Sequence, residues 1–288
     1  MRDIAVCRQS PVASRQSSGS RPRPFSDDES SSNGHGGPVS NGNGRMGSNG
    51  NGNGRIGLPL IGGRVVDPTE VTAEVEAMGA EEAIAWAAGN FGEGLRIACS
   101  FQKSNSAIIE IAHRRAPGAG FFYLDTELLF PQTYGTRDAL ARRYGIEFER
   151  FAGISVEEQE TLHGASLWAR HPDACCGIRK VEPMREALRG AECWVSGIRR
   201  SDSSTRAGAA KFGWDRRFGL WKLNPLADWG DEEIWNHIRE NDVPYNPLHD
   251  EGYPSIGCTH CTARPGEADD DRSGRWAGRS KTECGING

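Results

Sequence analysis

Apolar positions are sparse at the start of the chain and periodic afterwards. In residues 1–63, Ser, Gly, Asn, Arg and Pro predominate and Phe25 is the only aromatic, so the segment holds too little apolar surface to offset its ordering entropy and is expected to be a disordered, low-complexity tail. From Asp67 onward two periods alternate. Asp67-Pro68 reads as an N-cap followed by Pro at the first helical position, opening a helix predicted to run to about Ala88, where Gly89-Asn90 supplies a stop. Short apolar runs at Leu95–Cys99, Phe121–Leu124, Ile146–Phe151 and Cys193–Ile198 predict buried strands. Helical periods at Ser106–Arg115, Gln132–Tyr144 and Gly177–Leu188 lie between them. The alternation implies right-handed crossovers and an α/β fold with a doubly wound, mostly parallel sheet, whose ligands gather at the carboxyl ends of the strands.

Composition narrows the picture further. The longest apolar stretches, such as Gly120–Leu124, are strand-sized, so no membrane span is expected. Met1–Arg8 turns polar before any apolar signal core forms, which points to a reducing, cytoplasmic compartment. Eight cysteines in such a compartment are expected to be ligands, nucleophiles or buried apolar residues rather than disulfides. The first 63 residues carry seven Arg and four acids, and the remaining 225 carry 27 basic and 35 acidic groups, a net of −8. A general nucleic-acid surface is not expected on such a body.

Four segments carry candidate chemistry. Ser100-Phe101-Gln102-Lys103-Ser104-Asn105-Ser106 joins a predicted strand to a helix, where backbone N–H groups favour an anion; it has neither P-loop nor Rossmann glycines, and a plain Ser-capped turn is the alternative. Ser196–Arg206 again follows a strand and packs Arg199, Arg200 and Arg206 among hydroxyl groups, a density of forks suited to phosphate or sulfate. A second basic group, Arg272, Arg275 and Arg279, follows Asp269-Asp270-Asp271. Cys175-Cys176 with Cys258-Thr259-His260-Cys261 supplies four thiolates. Adjacent thiolates are awkward on one tetrahedral zinc, whereas a [4Fe–4S] cubane offers each its own iron, so the cluster is the expectation, with structural zinc and unliganded thiols as alternatives. Lys180, four residues after Cys176, is expected on the same helix face, where it would offset the cluster's negative charge. Cys284, in Glu283-Cys284-Gly285-Ile286-Asn287-Gly288, is expected to be an exposed, reactive thiol on a mobile tail beside Arg275, Arg279 and Lys281. Cys7, Cys99 and Cys193 read as structural or incidental.

Together with Leu124-Asp125-Thr126-Glu127-Leu128-Leu129-Phe130-Pro131 and Val243-Pro244-Tyr245-Asn246-Pro247-Leu248-His249-Asp250, these segments resemble the assimilatory adenosine 5′-phosphosulfate reductases over roughly residues 80–288. The resemblance implies an adenine-nucleotide α-hydrolase-like fold, one [4Fe–4S] cluster, reduction of adenylyl sulfate to sulfite and AMP, and electrons from thioredoxin or a similar dithiol donor. It further implies cluster ligation by Cys175, Cys176, Cys258 and Cys261 and nucleophilic attack by Cys284. By the same likeness the nucleotide would lie against Ser100, Phe101, Gln102, Leu124 and Asp125, and the phosphosulfate would meet Lys180, Arg199, Arg272 and Arg275. Residues 64–257 would then form the nucleotide-binding reductase domain and 258–288 the ligand segment and catalytic tail, in an expected homo-oligomer. Two departures stand out: Asn287 takes the position where the family often has His, and Ser104-Asn105-Ser106 lacks an acidic pair common among its members. Reduction of the 3′-phosphorylated nucleotide is the rival activity, since Arg200, Arg206, Arg216 and Arg217 remain for a 3′-phosphate; a non-catalytic iron–sulfur sensor is the rival of another class.

Overall fold

The computed structural model describes residues 60–265 and 271–287; Cys7 and most of the predicted tail lie outside them. A short antiparallel hairpin, β1 (Leu60–Ile61) with β2 (Arg64–Val65), comes first among the described residues. Its start lies within the segment read as tail, and it is tied down because Trp221 Nε1 donates to the Leu60 carbonyl at 3.0 Å. The helix predicted from Asp67 to Ala88 is two helices, α1 (Pro68–Glu76) and α2 (Ala80–Phe91). The buried Lys211 explains the break: its ammonium takes the carbonyls of Glu76 and Met78, which a continuous helix would have used internally. The Gly89-Asn90 stop is overrun, and α2 ends at Gly92 in a positive-φ conformation.

The central sheet alternates with helices as expected: β3 (Leu95–Ala98), α3 (Lys103–Arg115), β4 (Gly120–Leu124), α4 (Pro131–Tyr144), β5 (Glu149–Phe151), then α5 (Val156–His163) and α6 (Leu167–Arg170). The predicted helix at Gly177–Leu188 begins earlier. It runs as α7 (Pro172–Cys176), a π-helical turn over Gly177–Val181, and α8 (Glu182–Ala187). Pro183 has no N–H to give an i−4 carbonyl, so a widened turn just before it fits the sequence. β6 (Cys193–Val195), β7 (Phe212–Asp215), β8 (Leu220–Leu223) and α9 (Asp231–Glu240) complete the fold.

The strand order is β5-β4-β3-β6-β8-β7, parallel except for β7 against β8. Strand alternation buries both faces: Phe121, Tyr123, Cys193 and Val195 join the larger core beneath α2, α3 and α9, while Phe122 and Trp194 join a smaller cluster with Met184 and Leu188. β4 and β5 lie on one side of β3 and β6 on the other. This reversal opens a crevice at the carboxyl ends of β3 and β6, the place where doubly wound sheets bind ligands.

Candidate active site

A cavity of about 200 Å³ occupies that crevice. Ser100, Phe101, Gln102 and Leu124 line it, with Ser196, Gly197 and Ile198 from the end of β6 opposite. Asn105 shapes the turn after β3: its Oδ1 accepts from the backbone N–H groups of Ser100 and Phe101 at 2.8 and 3.2 Å, and its Nδ2 donates to the Ala98 carbonyl. The turn needs this support because Phe101 has φ 57°, an unfavourable value for a bulky residue. Gln102 Oε1 accepts from the Ile256 N–H at 2.8 Å and ties the turn to the segment before Cys258. Asp125 does not reach the cavity. It is buried behind the wall, where its carboxylate accepts from Tyr134 Oη, Arg150 Nε and the Glu127 N–H.

Four cations line the cavity: Lys180, Arg206, Arg272 and Arg275. Arg199 lines an adjoining cleft instead and is 2% exposed, held by the carboxylates of Asp202 and Asp231. Arg206, which the sequence left among the spare arginines, stands in the cavity wall. Its Nε and Nη2 grip both oxygens of Glu283 at 2.7 and 2.9 Å, and its Nη1 reaches Asp202. Arg272 donates to the same Glu283 carboxylate at 3.0 Å and to the Thr282 carbonyl. Burial, with Arg206 and Arg275 nearby, pushes the pKa of the Arg272 guanidinium down to about 10, against the opposing pull of Glu283. Arg275 is buried, its Nη1 bonded to Ser255 Oγ and the Ile256 carbonyl, while its Nε has no partner.

Cys284 is not the exposed thiol expected. It is half-buried, with one side on this cavity and the other on an open groove that also holds Arg185, Arg217 and Lys281. Contacts distant in sequence hold the segment in: Glu283 on Arg206 and Arg272, Ile286 against the smaller core cluster, Asn287 on Lys222, and Lys281 paired with Asp173. Burial alone would raise the thiol's pKa, but the Lys180 ammonium, the Ile286 N–H and Arg275 outweigh it and bring the pKa below the ordinary thiol value.

Beneath Lys180 lies a second, smaller cavity, lined by Cys175, Cys176, Cys258 and Cys261 together with Arg179 and Trp276. Cys175 and Cys176 end α7, while Cys258 and Cys261 bracket a 3₁₀ turn pinned by the Thr259 N–H to the Leu128 carbonyl and the Trp276 N–H to the Cys261 carbonyl. Burial pushes the Cys176 thiol up to about 12 and raises Cys175 and Cys261 as well. Arg179 Nε and Nη2 and Trp276 Nε1 are buried without partners, and Thr126 Oγ1 lies 3.3 Å from Cys258 Sγ. Among the described residues no group of three or more His, Cys, Asp or Glu side chains could hold a metal ion as they stand. Four thiols share one cavity with unsatisfied N–H donors in its lining, a donor set whose chemistry suits a thiolate-bound anionic group.

Residues 94–264 match the phosphoadenosine phosphosulfate reductase domain. The chain belongs to that family. Proteins named adenosine 5′-phosphosulfate reductase from Rhodococcus erythropolis, Mycolicibacterium smegmatis and Salinibacter ruber are 43%, 44% and 41% identical to it, over 74–75% of this chain and 87–91% of theirs. A solved phosphoadenylyl-sulfate reductase from Candida auris, in complex with phosphate, superposes with a TM-score of 0.61 at 28% identity, covering 68% of this chain and 95% of that one. The mostly parallel sheet flanked by helices is thus the fold of a phosphoadenosine phosphosulfate reductase. Within the reductase family fold, the Asn105 departure from an acidic pair has a local use, as the brace of the β3 turn. Arg206 had a sequence signal, the hydroxyl-rich loop after β6; its pairing with Glu283, 77 residues on, had none.

Proposed function

We propose that this chain reduces adenosine 5′-phosphosulfate to sulfite and AMP, with Cys284 as the nucleophile and a reduced dithiol protein such as thioredoxin as the electron donor. The observation that carries the reading is the position of Cys284: a thiol of lowered pKa on the wall of a strand-end cavity that also presents Lys180, Arg206, Arg272 and Arg275. Those cations suit a phosphosulfate, and the turns after β3 and β6 suit a nucleotide. The relatives named as adenosine 5′-phosphosulfate reductases support the same substrate.

In the first half-reaction the Cys284 thiolate attacks the sulfo sulfur, an S–S bond forms, and the S–O bond to phosphate breaks, so AMP leaves with the electron pair. The surrounding cations offset the charge that an anionic nucleophile meets on approaching an anionic substrate. In the second, a donor thiolate attacks Cys284 Sγ and releases sulfite; the donor's other thiol resolves the mixed disulfide, supplying the two electrons that take sulfur from the sulfate to the sulfite state. A [4Fe–4S] cluster held by Cys175, Cys176, Cys258 and Cys261 would supply negative charge beside Lys180. Arg179, Thr126 and Trp276 carry the groups that would bond to it.

The 3′-phosphorylated nucleotide is the competing substrate, as the family name and the Candida auris protein indicate. Of the arginines the sequence left for a 3′-phosphate, Arg200 is already committed, to Glu76. Sulfite release measured with both nucleotides and reduced thioredoxin tests the reading: kcat/KM for adenylyl sulfate is expected to be at least about tenfold higher, about 1.4 kcal/mol of transition-state discrimination. Equal or reversed values move the chain to the 3′-phosphorylated substrate. No sulfite from either leaves a nucleotide-binding sensor.

A further inference from the structure

β8 carries a cation where its alternation calls for an apolar side chain. Leu220 and Lys222 share the face that packs on the smaller core cluster, and Lys222 Nζ lies 4.5 Å above the ring of Trp194 in that cluster. Among the described residues no carboxylate comes within 4.0 Å of this ammonium, and those of Asp215 and Glu283 act on it only from farther off. Its hydrogen bond goes to Asn287 Oδ1, at 2.8 Å. Lys222 does not line the nucleotide cavity, whereas Asn287 and Ile286 do. A half-buried lysine whose named partners are an aromatic face and one neutral amide, three residues beyond Cys284, is unusual enough to need a reason.

Resting on the reading of Cys284 as nucleophile, we propose that Lys222 is a positioning residue that holds the chain end through Asn287 and so presents Cys284 to the cavity. Glu283 is fixed from one side by Arg206 and Arg272, and Asn287 from the other by Lys222, so the thiol sits between two anchors. Ile286, packed on the smaller core cluster, steadies the same stretch, and the Lys222–Asn287 bond fixes its end beyond Gly285, which has φ 84°. The carboxamide suits a cationic holder: it accepts through Oδ1 at every pH, whereas a protonated imidazole at 287 would meet the ammonium with like charge.

The test is a double-mutant cycle on Cys284 alkylation by iodoacetamide, mapped by mass spectrometry in full-length protein with its iron content checked. It needs no turnover, so it stays readable even where the substrate assignment fails. K222M keeps the contact with Trp194 but removes the donor. N287A removes the acceptor and leaves the charge, and K222R restores a cationic donor. Each of K222M and N287A is expected to speed alkylation about tenfold, the double variant no further, and K222R to return it toward wild type, with the AMP dissociation constant of K222M, which lies outside the cavity wall, unchanged within about twofold. Multiplying effects in the double variant overturn the proposal. So does unchanged alkylation in N287A, which would reduce Lys222 to a through-space charge, or weakened AMP binding in K222M, which would make it a substrate residue. Near-UV circular dichroism identifies any variant whose core has loosened, and for such a variant the N287A and K222R arms decide.

Discussion

Gly257 stands immediately before the ligand candidate Cys258, and the reason for a glycine there is Arg275. A Cβ at 257 would lie 2.5 Å from Arg275 Cζ and 3.1 Å from Nε, and closer still to Nη2. Carbon contacts need about 3.5 Å, so in G257A the guanidinium must retreat by about 1 Å. It has nowhere close to go, since Arg275 is 8% exposed, bonded through Nη1 to Ser255 and Ile256, and stacked 4.8 Å from the Trp276 ring. The substitution therefore withdraws one cation from the anion site without touching its charge. A hydrogen bond to a charged group is worth about 1.5–3 kcal/mol, so kcat/KM for adenylyl sulfate should fall about 10- to 150-fold. Overpacking should lower stability by about 1–3 kcal/mol, which a denaturant midpoint reads separately. Because the effect runs through Arg275, G257A in an R275A background should change sulfite release little further. A folded, iron-replete G257A enzyme with kcat/KM within about twofold of wild type would refute the argument that Arg275 must stand where it does.

Three further outcomes are expected. Mixing the protein with adenylyl sulfate and no donor should yield a sulfo adduct on Cys284 by intact-mass and peptide analysis, absent in C284S; an adduct on Cys99 or Cys193 would reassign the nucleophile. Anaerobically purified protein should contain about four iron and four sulfide per chain, and stoichiometric zinc without sulfide after reconstitution would eliminate the cubane. His249 accepts the Lys103 N–H at Nε2 and donates from Nδ1 to the Tyr253 carbonyl, an arrangement only the neutral ring can make, and burial together with Lys103 pushes its pKa down to about 4. The unfolded chain binds that proton below about 6.5, so this contribution is complete above pH 6.5 and is lost as pH falls toward 4. H249Q should remove up to about 3 kcal/mol of that pH dependence, measured by denaturant unfolding across the window.

The parallel strands were legible because burial on both faces turns them into short continuous apolar runs, as at Phe121–Leu124 and Cys193–Val195. β7 was not, because Phe212-Gly213-Trp214-Asp215 is an edge strand, half solvated, and its turn to β8 carries no strong hairpin signature. The break between α1 and α2 depends on Lys211, more than 130 residues away, which no local pattern could disclose. The site divides in the same way. The two cysteine pairs stood out by spacing, whereas the strand-end turn of Ser100 to Gln102 was marked, apart from the family resemblance, by position alone, with a plain Ser-capped turn as the alternative. The neighbours that set what those residues can do, Glu283 on Arg206 and Asn287 on Lys222, join segments whose approach exists only once the sheet has formed.

Lys180 has one consequence beyond its charge. It lines both the nucleotide cavity and the cysteine cavity, so one side chain is the partition between them. Any coupling between ligands on its two sides is reciprocal. If a nucleotide in the upper cavity alters by some factor the grip of the four thiols on whatever they hold, then filling the lower cavity must alter nucleotide affinity by that same factor. With such coupling, loss of the lower occupant registers in a nucleotide titration even with every residue of the upper cavity intact.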